Sequence, residues 1–203
     1  MQKLKIGVLA SGSGSNLQAI IDEAAAGLIP VEVVMVISDK PDAYALVRAE
    51  QAGITTAVVL PKDYATREAY DEQLVKLLRL AGAEAVALAG YLRIVTGAVL
   101  QAFPQRVLNI HPALLPSFPG LHGQRQAWEY GVKVAGCTVH FVDEGLDSGP
   151  IILQAPVPVL DDDDADTLAA RILEQEHIIY PLALKLLAEG KLRIEGRRVR
   201  IAD

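Results

Sequence analysis

Five apolar runs with no polar alternation are spaced along the first 110 residues of this chain, each followed by a stretch of helical periodicity or a loop. The runs cover residues 5–10, 31–37, 55–60, 85–89 and 106–110. A strand that is apolar at every position must be covered on both faces, and strands separated by helices pair in parallel. Helical spacing falls at 16–26, 42–52, 66–80 and 96–103, with Gly27, Pro30 and Gly53 as stops. The pattern changes after Gly120. A short helix at 124–130 is followed by two long strands at 134–142 and 151–159, a long helix at 166–188 and a small hairpin around Glu195-Gly196. The expectation is an α/β fold, Rossmann-like and doubly wound: a mostly parallel sheet, helices on both faces and a C-terminal antiparallel strand extension. Ligands of such sheets bind beyond the carboxyl ends of the strands. That places the loops 11–16, 90–95 and 109–120, each following a strand, on the binding edge.

With 203 residues the chain reads as one domain over 1–203, large enough for a core without staples. A net charge of −6 and an isoelectric point near 5.2 argue against nucleic acid as a partner, because phosphate-backbone binding needs clustered Lys and Arg. A single cysteine, Cys137, excludes an internal disulfide and fits a reducing cytoplasm. The N-terminal apolar run is too short for a signal peptide, and no stretch is long enough to span a bilayer.

Asparagine occurs twice, and both copies follow strands. Asn16 closes the loop Ser11-Gly12-Ser13-Gly14-Ser15-Asn16, which opens a helix. Glycines let such a loop turn its N–H groups to one point, where the helix N-terminus adds positive potential, so an anion such as phosphate fits. The third glycine of the dinucleotide fingerprint is missing, with Leu17 in its place, and no P-loop lysine follows. Asn109 precedes His111 by two residues, so their side chains share a strand face. Pro112, Pro116 and Pro119 stiffen the loop that follows. An amide can donate to an oxygen gaining negative charge, and an imidazole can move a proton. Asp147, in Gly145-Leu146-Asp147-Ser148-Gly149-Pro150, can orient that imidazole; from the residues alone it is equally a turn residue. Arg67 and Arg93 can each pair with a carboxylate or phosphate, although most arginines are solvated surface. Glu176-His177 reads as a boundary between polar and core helix faces. His122 and His140 lack metal-ligand spacing, and no metal motif is present. The run Asp161 to Asp164 reads as a solvated loop whose charge favours the following helix N-terminus.

Taken in order, the Gly-Ser-Gly-Ser-Asn loop, Leu-Ala-Gly-Tyr-Leu-Arg-Ile, Asn-Ile-His-Pro-Ala-Leu-Leu-Pro-Ser-Phe-Pro-Gly and Gly-Leu-Asp-Ser-Gly-Pro-Ile-Ile resemble the folate-dependent formyltransferases. The match runs from the first strand to at least Tyr180. The Ser-Gly-Ser-Gly-Ser-Asn loop and Gln175-Glu176-His177 are closest to the branch that formylates glycinamide ribonucleotide in purine biosynthesis. The resemblance implies a catalytic trio of Asn109, His111 and Asp147. It implies the ribonucleotide phosphate on Gly12, Ser13, Gly14, Ser15 and Asn16, with Glu176 at its glycinamide-ribose part. It places the co-substrate, 10-formyltetrahydrofolate, along Leu92, Arg93, Ile94 and Val95 and the loop Asp143, Glu144, Gly145, Leu146 and Asp147, with Arg67 near the carboxylate tail. It implies no metal, no nucleic-acid or membrane partner, a cytoplasmic location and a monomer or homodimer. Two positions depart from the family pattern: Ala113 stands where Ser usually follows His-Pro, and Gln124 where a second His is common. The alternatives are a formyltetrahydrofolate hydrolase, which normally bears an added N-terminal regulatory domain, and a non-catalytic folate or nucleotide sensor on the same fold. A tRNA-directed formyltransferase would carry an extra C-terminal domain and more basic charge.

Overall fold

Hydrophobic runs and glycine stops partition the chain much as the pattern predicts. The computed structural model describes residues 2–202, and the fold divides into two compact units that meet in sequence at Leu108 and Asn109.

The first unit alternates β1 (Leu4–Ala10), α1 (Ser15–Ala25), β2 (Val31–Ser38), α2 (Tyr44–Gln51), β3 (Thr56–Val58), α3 (Arg67–Leu80), β4 (Ala85–Leu88) and α4 (Gly97–Ala102). Its strands lie in the order β3-β2-β1-β4, all parallel: Val8 is level with Val36 on one side and Ala87 on the other. Every residue of β4, and all of β1 except Lys5, is buried. That double-sided burial is what the unbroken apolar runs encode. β3 is shorter than the 55–60 expected. Residues 61–63 form a single 3-10 turn started by Pro61, which has no N–H to offer a ladder. Thr66 caps α3 by accepting the Ala69 N–H at 3.1 Å, which sets Arg67 at the first helical position.

The strand β5 (Val107–His111) runs into the second unit, which continues with α5 (Gly123–Tyr130), β6 (Val134–Phe141), β7 (Ile151–Pro158), α6 (Ala165–Ala188), β8 (Leu192–Glu195) and β9 (Arg198–Ile201). Here the strand order is β5-β6-β7-β9-β8, with β6–β7 and β8–β9 antiparallel, the expected C-terminal extension. The β6–β7 register slips between Val139 and His140. The acidic run is more structured than a solvated loop. Asp164 caps α6 through a reciprocal box with Thr167. Asp163 takes a two-pronged hydrogen bond from Arg171 at 2.6 and 2.8 Å, which holds its carboxyl well below the usual carboxylate range.

Candidate active site

His111 ends β5 with its side chain buried and both ring nitrogens facing oxygen. Nδ1 is 3.4 Å from Asp147 Oδ2, and Nε2 is 2.8 Å from the Phe118 carbonyl. Carboxylate and carbonyl are both acceptors. A doubly protonated ring satisfies both, whereas either neutral tautomer leaves one lone pair against an oxygen. Two backbone distortions create this cradle. Phe118 and Asp147 both lie in the left-handed region, at φ 54° and 49°, an uncommon choice for residues other than glycine. Asp147 Oδ2 also accepts the Gly120 N–H at 2.7 Å, which ties the loop after β5 to the loop after β6. The Leu115-Pro116 bond within that segment is cis.

Among the described residues no hydrogen bond joins the Asn109 side chain to His111 or Asp147. Its Nδ2 lies 3.2 Å from His140 Nε2, and His140 is itself 98% shielded on β6. His140 Nδ1 sits 2.8 Å from the Phe141 carbonyl and so carries the ring proton, leaving Nε2 bare to accept from the amide. One amide hydrogen of Asn109 is committed this way, and the same nitrogen carries a second. Burial pushes the His140 pKa down, against opposing pulls from the Phe141 carbonyl and the Asp147 charge, with the neighbouring His111 adding to the drop. Its Nε2 is 3.8 Å from Asp147 Oδ1, and with the ring neutral this is not an ion pair. In the sequence His140 fits no metal spacing and carries no other mark. The break in β6 register that aims it at the site is invisible in a list of residues.

The loop that carries Ala113 and Leu115 is held from β6 as well. Buried Thr138 donates its hydroxyl hydrogen to the Ala113 carbonyl at 2.7 Å and accepts the Leu115 N–H at 3.0 Å. Gln154 on β7 adds a donor to the Leu115 carbonyl at 2.9 Å. Gly123 faces this cradle with no room for a side chain: a Cβ there would sit 3.0 Å from both His111 Nε2 and the Phe118 carbonyl. At Gln124, Oε1 is shielded without a hydrogen-bond partner among the described residues, and nothing in the structure explains that departure.

Asp143 turns its own loop into a stiff element, accepting from Gly145 N at 3.1 Å and Ser148 Oγ at 2.6 Å. Glu144, Gly145 and Leu146 are left exposed at its tip. Glu176 is buried on α6 and faces Cys137. Burial first, and that negative charge second, push the Cys137 thiol up to about 12, so it is not a nucleophile.

In the first unit, two of the three expected ligand loops come together. Ser11 accepts the Leu92 N–H at 3.0 Å through its hydroxyl and donates its own N–H to the Gly90 carbonyl at 3.1 Å. Arg67 fixes the same segment by donating to the Ile94 carbonyl at 2.7 Å, while Arg93 lies over the Tyr70 ring at 5.1 Å. Leu92 and Ile94 point outward and Val95 inward. The loop from Gly12 to Asn16 starts α1 with Gly14 at φ 71° and no side-chain cap. Among the described residues no group of three or more His, Cys, Asp and Glu could hold a metal ion.

The family model for formyl transferase matches residues 4–184. Phosphoribosylglycinamide formyltransferase of Escherichia coli is 47% identical over 191 residues, which is 94% of this chain and 90% of that protein. The trifunctional purine biosynthetic protein adenosine-3 of Drosophila melanogaster is 50% identical over 192 residues; they are 93% of this chain but only 14% of that much longer protein. The solved structure of glycinamide ribonucleotide transformylase 1 from Symbiobacterium toebii matches with a TM-score of 0.98 at 58% identity, covering 100% of this chain and 95% of that one.

Proposed function

Because the chain belongs to the formyl transferase family, we propose that it moves the formyl group of 10-formyltetrahydrofolate onto the amine of glycinamide ribonucleotide, a step of purine biosynthesis. The observation that carries this reading is the His111 imidazole held between a carboxylate and a carbonyl, beside an Asn109 amide with one hydrogen uncommitted. Residues 1–203 act as one domain in the cytoplasm, as a monomer or homodimer without nucleic acid. Among the described residues no helix is long and apolar enough to cross a membrane.

The primary amine attacks the formyl carbon, forming the new C–N bond and moving the carbonyl electron pair onto oxygen. Asn109 Nδ2 and His111 Nε2 donate to that oxyanion. A charged acceptor competes favourably with the neutral Phe118 carbonyl for the same N–H. Asp147 holds the far side of the ring, its Oδ2 3.4 Å from Nδ1. The attacking nitrogen loses a proton, and the departing folate nitrogen gains one as its bond to the formyl carbon breaks. Asp147 assists that transfer through water. The ribonucleotide phosphate sits on Gly12, Ser13, Gly14, Ser15 and Asn16, with Glu176 at the sugar end. The folate lies on Leu92, Arg93, Ile94, Val95 and the segment Asp143, Glu144, Gly145, Leu146 and Asp147, its tail near Arg67. Juxtaposition of two bound reactants supplies much of the acceleration, worth up to ~7–11 kcal/mol in well-oriented systems.

Absorbance-monitored consumption of 10-formyltetrahydrofolate by the purified protein tests this. Consumption is expected only when glycinamide ribonucleotide is present. Consumption without acceptor would replace the transferase by a hydrolase, and binding without turnover in either mixture would leave a sensor.

A further inference from the structure

The loop assigned to phosphate is shaped from behind by α2. Two successive carbonyls of the loop are turned onto that helix: Gly12 O accepts from Ala45 N at 3.1 Å, and Ser13 O accepts from Arg48 Nε at 2.8 Å. In a trans peptide the N–H points opposite to the C=O. The peptide that carries the Gly12 carbonyl also carries the Ser13 N–H, and the Ser13 carbonyl shares its peptide with the Gly14 N–H. Fixing both carbonyls on α2 therefore fixes two consecutive N–H groups away from it, and consecutive N–H groups in this arrangement form an anion nest. α2 approaches so closely that a Cβ on Gly14 would lie 2.6 Å from the Ala45 Cα.

Arg48 is itself constrained. Its Nη1 donates to Gln18 Oε1 at 3.2 Å, and its guanidinium lies 4.9 Å from the centre of the Tyr44 ring. Residues 11–16 contain no charged side chain, so this guanidinium also supplies positive charge that the loop lacks. We propose that Arg48 is a positioning residue for phosphate recognition, pinning the Ser13 carbonyl so that the Gly14 N–H faces the phosphate of the ribonucleotide. This rests on the phosphate assignment of the loop given above.

Wild type, Arg48→Met and Arg48→Lys are compared by calorimetric titration with glycinamide ribonucleotide and with its phosphate-free riboside, alongside steady-state turnover and thermal unfolding. Arg48→Met is expected to bind the ribonucleotide roughly tenfold more weakly, the scale of one charge-assisted hydrogen bond. Its affinity for the riboside is expected to match wild type, and its kcat at saturating ribonucleotide to stay within about twofold, as a loss confined to binding requires. Arg48→Lys is expected to fall between the two, because it keeps the charge but not the fork. Ribonucleotide affinity unchanged in Arg48→Met, or riboside affinity reduced as much as ribonucleotide affinity, would overturn the proposal. Wild-type protein that binds riboside and ribonucleotide equally would remove the phosphate assignment and this role with it, while acceptor-dependent turnover would leave the transferase reading standing.

Discussion

The oxyanion donor of the proposed mechanism works only while its N–H group stays aimed, and the Asn109 amide is held by a second histidine. His140 accepts one amide hydrogen at Nε2 because the Phe141 carbonyl holds its proton at Nδ1. Burial keeps the ring neutral, so the acceptor lone pair persists. His140→Leu removes the acceptor and frees the amide to rotate. The expected result is a kcat lower by roughly 10²-fold, approaching the loss seen when an oxyanion donor is deleted, with both KM values little changed. His140→Gln can accept through its side-chain oxygen and is expected to recover part of that loss. Steady-state kinetics on the two variants decides the matter: equal kcat in wild type and His140→Leu would remove His140 from any positioning role.

At the scale of elements, β6 acts as the rear wall of the loop that follows His111. Thr138 satisfies both a carbonyl and an N–H of the segment after His111, and no water-facing route replaces it, since Thr138 is fully buried. Thr138→Val keeps the shape and takes one hydrogen bond from each of those two groups and one from Gln154, leaving the carbonyl and the N–H only their mutual contact at 3.2 Å. The expected cost is about 1–3 kcal/mol, seen as a lower midpoint in denaturant, and a lower kcat because the Phe118 carbonyl and Gly120 N–H ride on the same loop. An unchanged midpoint would mean that the loop holds itself. This element also marks what the sequence could disclose. Asn109 and His111 stood out because both lie within three residues at the end of one apolar run. Thr138 and His140 act on partners 25 and 31 residues away, and their surroundings, Val134 to Phe141, read only as another apolar strand. Arg48 was hidden for the opposite reason, since an arginine on a short surface helix looks like any solvated one. The parallel strands were legible because burial on both faces writes itself into every position. The length of β3 was not, because it was decided by where the Pro61 turn begins.

Across the whole molecule, the shifted groups act on stability in different directions as pH changes. The Asp163 carboxyl is held low by Arg171, so its contribution is present above its unfolded value of 3.8 and is lost only as pH falls through its lower folded value. Burial raises Asp71 above 3.8, partly offset by the Thr96 N–H it accepts; its contribution is therefore greatest at low pH and declines as pH rises through its folded value. The Asp163 window lies below 3.8, away from the range where His140 acts. The folded pKa of His140 lies below the ordinary 6.5, so above 6.5 native and unfolded chains both hold a neutral ring and stability does not respond to it. Below 6.5 the unfolded chain takes up a proton that the native state refuses, and stability falls with falling pH until the folded pKa is passed. One proton limits the slope to about 1.4 kcal/mol per pH unit. Urea unfolding between pH 7.5 and 5.5 is expected to show this decline in wild type and a shallower one in His140→Leu, whose side chain has no proton to take. Parallel curves for the two proteins would mean that the buried imidazole titrates alike in both states, contrary to its burial beside Asn109.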